Sequence, residues 1–203
     1  TLIKNDLNLG ALVFNYFGHG GEDGLASERI FDKLDAANLY NPNKLPLFIT
    51  STCEFSRFDN PLRITAGELT FSNPNGGAVG LISTTRQIYV INGINYNNIL
   101  TKHLFSYDSE DYVTVGEALR LAKAEFSGSA QKRILFYIGD PALKLAIPKP
   151  KIVLTHVNDV PIDQATDTLK ALSKINFRGK VTDVTNTLLS SYEGIATVTV
   201  YDK

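Results

Sequence analysis

The most constraining feature of this chain is a set of short apolar runs that do not alternate. Ala11-Leu12-Val13-Phe14-Asn15-Tyr16-Phe17 is nearly all apolar and ends at Gly18. Leu45-Pro46-Leu47-Phe48-Ile49 and Gly77-Ala78-Val79-Gly80-Leu81-Ile82 follow, and Ala142–Ile147 reads as a fourth run toward an edge. A strand with one wet face alternates apolar and polar residues. An unbroken run therefore points to burial on both faces, as in a parallel sheet covered by helices. The stretches between carry helix signals. Ile30, Phe31 and Leu34 share a face after Ser27, a plausible cap. Thr65-Ala66-Gly67-Glu68 and Thr114-Val115-Gly116-Glu117 each spell a capping box, in which the Thr oxygen meets a free backbone N–H and the Glu reaches back. Val115, Ala118, Leu119, Ala122 and Phe126 make one helical stripe; Tyr96, Ile99, Leu100, His103 and Leu104 make another. Leu2, Ile3, Leu7 and Leu9 follow neither period and read as a connection. Strands alternating with helices predict an α/β layer fold over residues 1–147.

The pattern changes at Pro148-Lys149-Pro150, which reads as a linker. Beyond it lie Ile152–Val157, Leu169–Phe177 and Ile195–Tyr201, separated by turn residues. Ala196–Tyr201 alternates with period two, the mark of a half-exposed antiparallel strand. Residues 148–203 suggest a partial immunoglobulin-like β-sandwich, with fewer strands than the seven such a domain needs. A chain that opens on Thr and contains no Met reads as a piece excised from something larger.

Composition narrows the function. Twenty basic residues stand against 21 acidic ones, so no bulk field draws nucleic acid or anionic lipid. No apolar run approaches the roughly 20 residues that span a bilayer. A single Cys in 203 residues rules out an internal disulfide framework.

That Cys is placed suggestively. In open α/β sheets, ligands bind beyond the carboxyl ends of strands. The first run ends in Gly18-His19-Gly20-Gly21 and the second in Thr50-Ser51-Thr52-Cys53-Glu54. A Gly-flanked His and the lone Cys thus share one predicted sheet edge. An imidazole can take the thiol proton and later protonate a leaving amine, and glycine N–H groups can face a developing oxyanion. Taken alone, a free Cys after an apolar run is most often a buried core residue. His103 on a helix stripe and His156 in a β run read as ordinary structural residues, whereas Gly on both sides makes His19 a poor packing position. Three rival readings are weaker. Gly18–Gly24 lacks the dinucleotide-loop pattern, and its Glu22 and Asp23 would repel a pyrophosphate. A zinc site from His19, Glu22 and Cys53 lacks paired ligand spacing. Tyr107–Tyr112 could touch calcium, but such acidic runs are usually solvated loops.

An apolar strand ending in His-Gly, followed by one ending in a small residue and Cys, is the layout of caspase-like cysteine peptidases. Three stretches resemble the gingipain family more specifically: Phe17–Gly24, Thr52-Cys53-Glu54-Phe55-Ser56-Arg57-Phe58-Asp59 and Gly139-Asp140-Pro141-Ala142-Leu143. Within it they are most similar to the sortase branch that serves the type IX secretion system. The resemblance covers about residues 8–147. It implies a caspase/gingipain-like parallel sheet with flanking helices, the second of two side-by-side catalytic subdomains, trailed by an immunoglobulin-like domain that this chain cuts short. The first subdomain, absent here, would supply an acidic residue that orients the His. By similarity His19 is the general acid/base, Cys53 the nucleophile, and the N–H groups of Gly20 and Cys53 the oxyanion hole. Glu54, Thr84, Thr85 and Arg86 are expected beside the substrate pocket, although Glu54, Arg57 and Asp59 could equally pair with one another on its rim.

The implied function is peptide-bond cleavage through a thioester, resolved in a sortase by an amine rather than by water. The resemblance implies protein substrates bearing C-terminal sorting domains, outer-membrane secretion-system components as partners, a lipopolysaccharide acceptor, and a cell-surface location at the outer membrane. It requires no cofactor and leaves room for a structural calcium. Two alternatives stay open: a non-catalytic caspase-like scaffold in a secretion complex, and an ordinary secreted gingipain-like protease.

Overall fold

The structure, a computed structural model, describes residues 2–106, 111–127, 130–164 and 173–199. The chain divides into two compact units, Thr1–Ala146 and Ile147–Lys203.

The first unit opens with helix α1 (Leu2–Leu9) and strand β1 (Val13–Phe17). A small antiparallel sheet of three two-residue strands follows: β2 (Gly20–Gly21), β3 (Gly24–Leu25) and β4 (Phe31–Asp32). Then come α2 (Lys33–Asn38), β5 (Leu47–Ser51), α3 (Ala66–Ser72), β6 (Gly80–Thr84), α4 (Val90–Leu104), α5 (Val115–Glu125) and β7 (Leu135–Ile138). The main sheet has the order β1-β5-β6-β7. β1, β5 and β6 run parallel, and β7 pairs antiparallel with β6.

Two of the apolar runs, those that form β5 and β6, are buried on both faces as their pattern implies, whereas β1 leaves Asn15 and Phe17 exposed. All five residues of β5 and of β6 are buried. Their side chains alternate between two cores. Leu47, Ile49 and Ile82 pack with Tyr96, Leu100 and Leu104 of α4 and Val115, Ala118 and Ala122 of α5. Phe48 and Leu81 pack with Leu7 of α1, Ala36 of α2 and Ala66 of α3. A sheet covered on both faces buries both sets of alternating side chains, so the amino-terminal parts of β5 and β6 are apolar. The polar residues at their carboxyl ends are buried too, the Thr50 hydroxyl donating to Ser83 Oγ at 2.8 Å.

Several sequence expectations are corrected. The fourth strand is Leu135–Ile138, and residues 142–147 form no regular element. Leu143 and Leu145 owe their apolar character to packing against the α4–α5 core. Ser27 caps nothing: Phe31 belongs to β4, and α2 is capped by Asp32 in a full capping box with Asp35. Leu34 is accordingly 72% exposed. At α3 the expected box forms completely, the Thr65 hydroxyl accepting from Glu68 N–H and Glu68 accepting from Thr65 N–H. At α5 only half forms, because the Glu117 carboxylate turns to Arg120 at 2.6 and 2.7 Å. Residues 2–9, read as a connection, form α1, with Leu7 its one fully buried anchor.

The second unit contains a three-stranded antiparallel sheet of order β10-β8-β9: β8 (Lys151–Val157), β9 (Val160–Pro161) and β10 (Phe177–Thr182). Residues 169–172 of the expected strand at 169–177 lie outside the described residues, and the strand that forms begins at Phe177. Residues 195–199 form no strand, against the expectation for 195–201. No second sheet faces the first among the described residues, so the sandwich expected here is not formed by them.

Candidate functional site

β1 and β5 are neighbours in parallel register, with Phe17 opposite Ser51. Both strands leave the sheet at their carboxyl edge there, and two residues on from that pair stand His19 and Cys53. The sequence-predicted pair is therefore delivered by adjacent strands to one edge, with strand axes about 4.8 Å apart.

The His19 backbone is pinned from two sides. Its carbonyl accepts hydrogen bonds from the Tyr16 hydroxyl and the Ala26 N–H, each at 2.8 Å. A Cβ at position 18 would lie 2.5 Å from the Tyr16 hydroxyl oxygen, which is why that position is glycine. Burial, then the nearby Glu28 charge, pushes the Tyr16 phenol above its ordinary pKa, so it stays a donor. The His19 ring itself is exposed.

The next residue touches the other strand's exit. A Cβ on Gly20 would lie 2.4 Å from Thr52 Oγ1. Gly20 faces Leu25 and Gly21 faces Gly24 across the β2–β3 hairpin. Because Ala26 donates to His19, residues 19 and 26 form a hydrogen-bonded pair. By the alternation of antiparallel ladders, 20 and 25 do not, and the Gly20 N–H points away from its hairpin partner.

Cys53 is half-buried, with Sγ 4.0 Å from the Ile88 carbonyl oxygen. Its backbone N–H donates to no other described residue. The loop around it is gripped by the exit of β6. The Thr84 hydroxyl donates to the Thr52 carbonyl, Glu54 N–H to the Arg86 carbonyl at 3.4 Å, and Ser56 N–H to the Thr84 carbonyl at 3.3 Å. Glu54 takes a left-handed backbone, φ +53°.

The remaining expected pocket residues separate. Glu54 lines a cleft of about 670 Å³ with His19, Gly20 and Gly21; Thr84, Thr85 and Arg86 do not. Thr84 is fully buried, and the Thr85 N–H is bound to the Ile134 carbonyl at 3.0 Å. Arg86 forks onto Asp59 at 2.9 and 2.5 Å, holding that carboxyl below its ordinary pKa. Arg57 meets Glu54 and Glu22, each at 3.4 Å. So the acidic and basic residues after Cys53 pair in part with each other and in part across loops.

Sequence reasoning missed Tyr16 and the charges opposite the hairpin. Arg63 reaches Asp23 at 2.7 Å and Glu22 at 3.5 Å, and Lys33 also reaches Asp23 at 2.7 Å. No spacing links residues so far apart in the chain. Among the described residues no group of three His, Cys, Asp or Glu side chains is placed to hold a metal ion, and no helix is long and apolar enough to cross a membrane. Residues 107–110 of the acidic loop weighed for calcium lie outside the described residues.

Among solved structures, the Arg-specific cysteine proteinase gingipain R (RgpB) is similar at 18% identity and a TM-score of 0.62, over 75% of this chain and 38% of that one. The complex of the Porphyromonas gingivalis RgpB pro- and mature domains gives 19% and 0.59, over 75% and 39%. A structure described only as a protease gives 19% and 0.63, over 87% and 42%. The chain thus spans about two fifths of the length of these structures, and they share its fold. No curated protein matches. The model of peptidase family C25 matches residues 1–146, which hold the sheet, the hairpin and both strand exits. This chain belongs to peptidase family C25, the gingipain family.

Proposed function

We propose that the chain carries the reactive half of a cysteine peptidase, with Cys53 as nucleophile and His19 as general acid/base. The observation that carries this reading is the Phe17–Ser51 register, which sends both residues off adjacent strands at one edge. The thiol gives its proton to the imidazole, and Sγ attacks the scissile carbonyl carbon. The outward N–H of Gly20 and the free N–H of Cys53 are the donors for the oxyanion. Collapse breaks the C–N bond, and His19 returns the proton to the departing nitrogen, leaving a thioester. A second nucleophile then attacks the thioester carbon and releases the thiol. Neither residue needs to be in hydrogen-bond contact before substrate arrives, since such pairs commonly tighten only in the complex.

The finer reading is a sortase: the second nucleophile is an amine, the substrates carry C-terminal sorting domains, and the product is attached to lipopolysaccharide at the outer membrane. Family membership and the three sequence stretches support it, and an ordinary secreted protease uses the same first half-reaction. A non-catalytic scaffold is favoured by one observation, the Cys53 sulfur lying against the Ile88 carbonyl. The three separate experimentally. Iodoacetamide alkylation of Cys53 that runs faster than for a free thiol at pH 6, and slows in His19→Ala, fits either enzyme and sinks the scaffold. Cleavage of a broad peptide panel that Cys53→Ala abolishes supports the peptidase. Trapping of the acyl group by added amines in preference to water separates the sortase from the hydrolase.

A further inference from the structure

In a thiol peptidase the acyl carbon bonds to sulfur while the imidazole hands its proton to the departing nitrogen. The segment attached to that nitrogen therefore lies on the imidazole's side of the scissile bond. The cleft of about 670 Å³ borders the imidazole: His19 through Gly24 line it, with Glu54 and Arg57 from the loop after Cys53, whereas Cys53 itself does not.

The cleft has a built character. Three non-glycine residues with left-handed backbone line it: Ala26 (φ +62°), Arg29 (φ +51°) and Glu54 (φ +53°). Such conformations persist only where the surroundings impose them, and they concentrate at ligand clamps and active sites. Its acids are already committed. Glu22 is held by Arg57, Arg63 and the Asn60 amide, the last at 3.1 Å. Asp23 is held by Arg63 and Lys33, and Glu54 by Arg57. Arg29 alone among the Arg, Asp and Glu residues lining the cleft has no ion pair among the described residues. The charge left over is a guanidinium, whose planar fork matches a carboxylate.

We infer that this cleft holds the segment following the scissile bond, and that Arg29 reads an acidic side chain on it. The inference rests on the peptidase reading above. It deepens that reading by assigning the class of leaving segment: peptides with Asp or Glu in the first few positions after the cut. Once that segment departs, the same space admits the second nucleophile.

The test uses two probes on the full chain. In the first, 15N-labelled protein is titrated with Ala-Glu-Glu-Ala amide and with Ala-Lys-Lys-Ala amide, both with free N-termini. The acidic peptide is expected to shift amide signals between Gly20 and Arg29 and to bind about fivefold more tightly than the lysine peptide. Arg29→Gln removes that difference and Arg29→Lys keeps most of it. Equal binding of the two peptides, absence of any shift, or an acidic preference that survives Arg29→Gln would overturn the assignment. In the second, a proteome-derived peptide library is digested and the new N-termini sequenced. Cleavage that Cys53→Ala abolishes, with acids enriched after the cut and the enrichment lost in Arg29→Gln, supports both readings. Cleavage without that enrichment overturns the role of Arg29 alone. Acid-selective binding without any Cys53-dependent cleavage overturns the peptidase reading, and with it the assignment of the bound peptide as a leaving segment, while the acid-reading role of Arg29 stands.

Discussion

Gly20 is the point at which the His-bearing hairpin meets the Cys-bearing strand exit, and Gly20→Ala tests that contact directly. The new methyl would lie 2.4 Å from Thr52 Oγ1, 3.1 Å from Thr52 Cγ2 and 3.2 Å from the Gly24 carbonyl oxygen. Thr52 is fully buried, so it cannot swing clear into solvent. Overpacking of this kind costs about 1–3 kcal/mol. At about 2 kcal/mol, and with a urea slope near 2 kcal/mol per molar, the unfolding midpoint falls by about 1 M. Circular dichroism at 222 nm is the readout, because the described α-helices all lie in the first unit. The second half of a double-mutant cycle makes the argument sharper. Thr52 Oγ1 is buried with no hydrogen-bond partner, so Thr52→Ala breaks no bond and loses only methyl packing, about 1 kcal/mol. The double variant should then recover more than about 1 kcal/mol over the sum of the singles. A midpoint for Gly20→Ala within about 0.2 M of wild type, or strict additivity in the double variant, would refute the contact.

Other outcomes follow from the same packing. Tyr96 is fully buried with its hydroxyl unpartnered, so Tyr96→Phe should stabilise by about 1 kcal/mol, and a lower urea midpoint would contradict it. Thr65→Ala removes the hydroxyl arm of a complete capping box and should cost about 1–2 kcal/mol. Thr114→Ala, where only half the box exists, should cost less by the same assay. Asp59 is held below its ordinary pKa by the Arg86 guanidinium, so its contribution is present above the unfolded aspartate value and is lost as pH falls through the lower folded value. Asp59→Asn should therefore flatten the loss of urea stability below about pH 4, and an acid limb identical to wild type would exclude the pair as a contributor.

Two of the three parallel strands, β5 and β6, were legible because burial on both faces favours a run of apolar residues; β1 shows such a run although its Asn15 and Phe17 are exposed. The fourth was misplaced for a physical reason. Residues 142–147 are apolar because Leu143 and Leu145 pack against the helices, and packing does not require a ladder partner. The short β7 is only partly buried, yet Ile134-Leu135-Phe136-Tyr137-Ile138 before Gly139 is as unbroken an apolar run as the others and was open to the same reading. α1 hid its period because one residue, Leu7, anchors it, while Leu2 and Leu9 are 82% and 77% exposed. His19 and Cys53 were legible as strand-end residues, since a strand's direction fixes where it delivers its last side chain. Tyr16 was not, because its hydroxyl turns back to a carbonyl three residues on only once Gly18 lets the chain fold over it. Arg57 and Arg63 meet Glu22 through a loop whose path no local pattern encodes.

The two reactive side chains hang from strands of unequal standing. Cys53 follows β5, an interior strand hydrogen-bonded on both sides and buried along its whole length. His19 follows β1, the outermost strand, bonded on one side and exposed at Asn15 and Phe17. Regions with solvent-facing backbone and few buried contacts open at free energies well below that of global unfolding. Amide exchange should accordingly be fast along β1 and slow along β5 in the same molecule. The imidazole thus follows the less protected strand and the thiol the more protected one, so the two halves of the centre differ in the stability of their supports while the pinned His19 carbonyl limits how far the base can move. Mild denaturant would then loosen the support of His19 before that of Cys53.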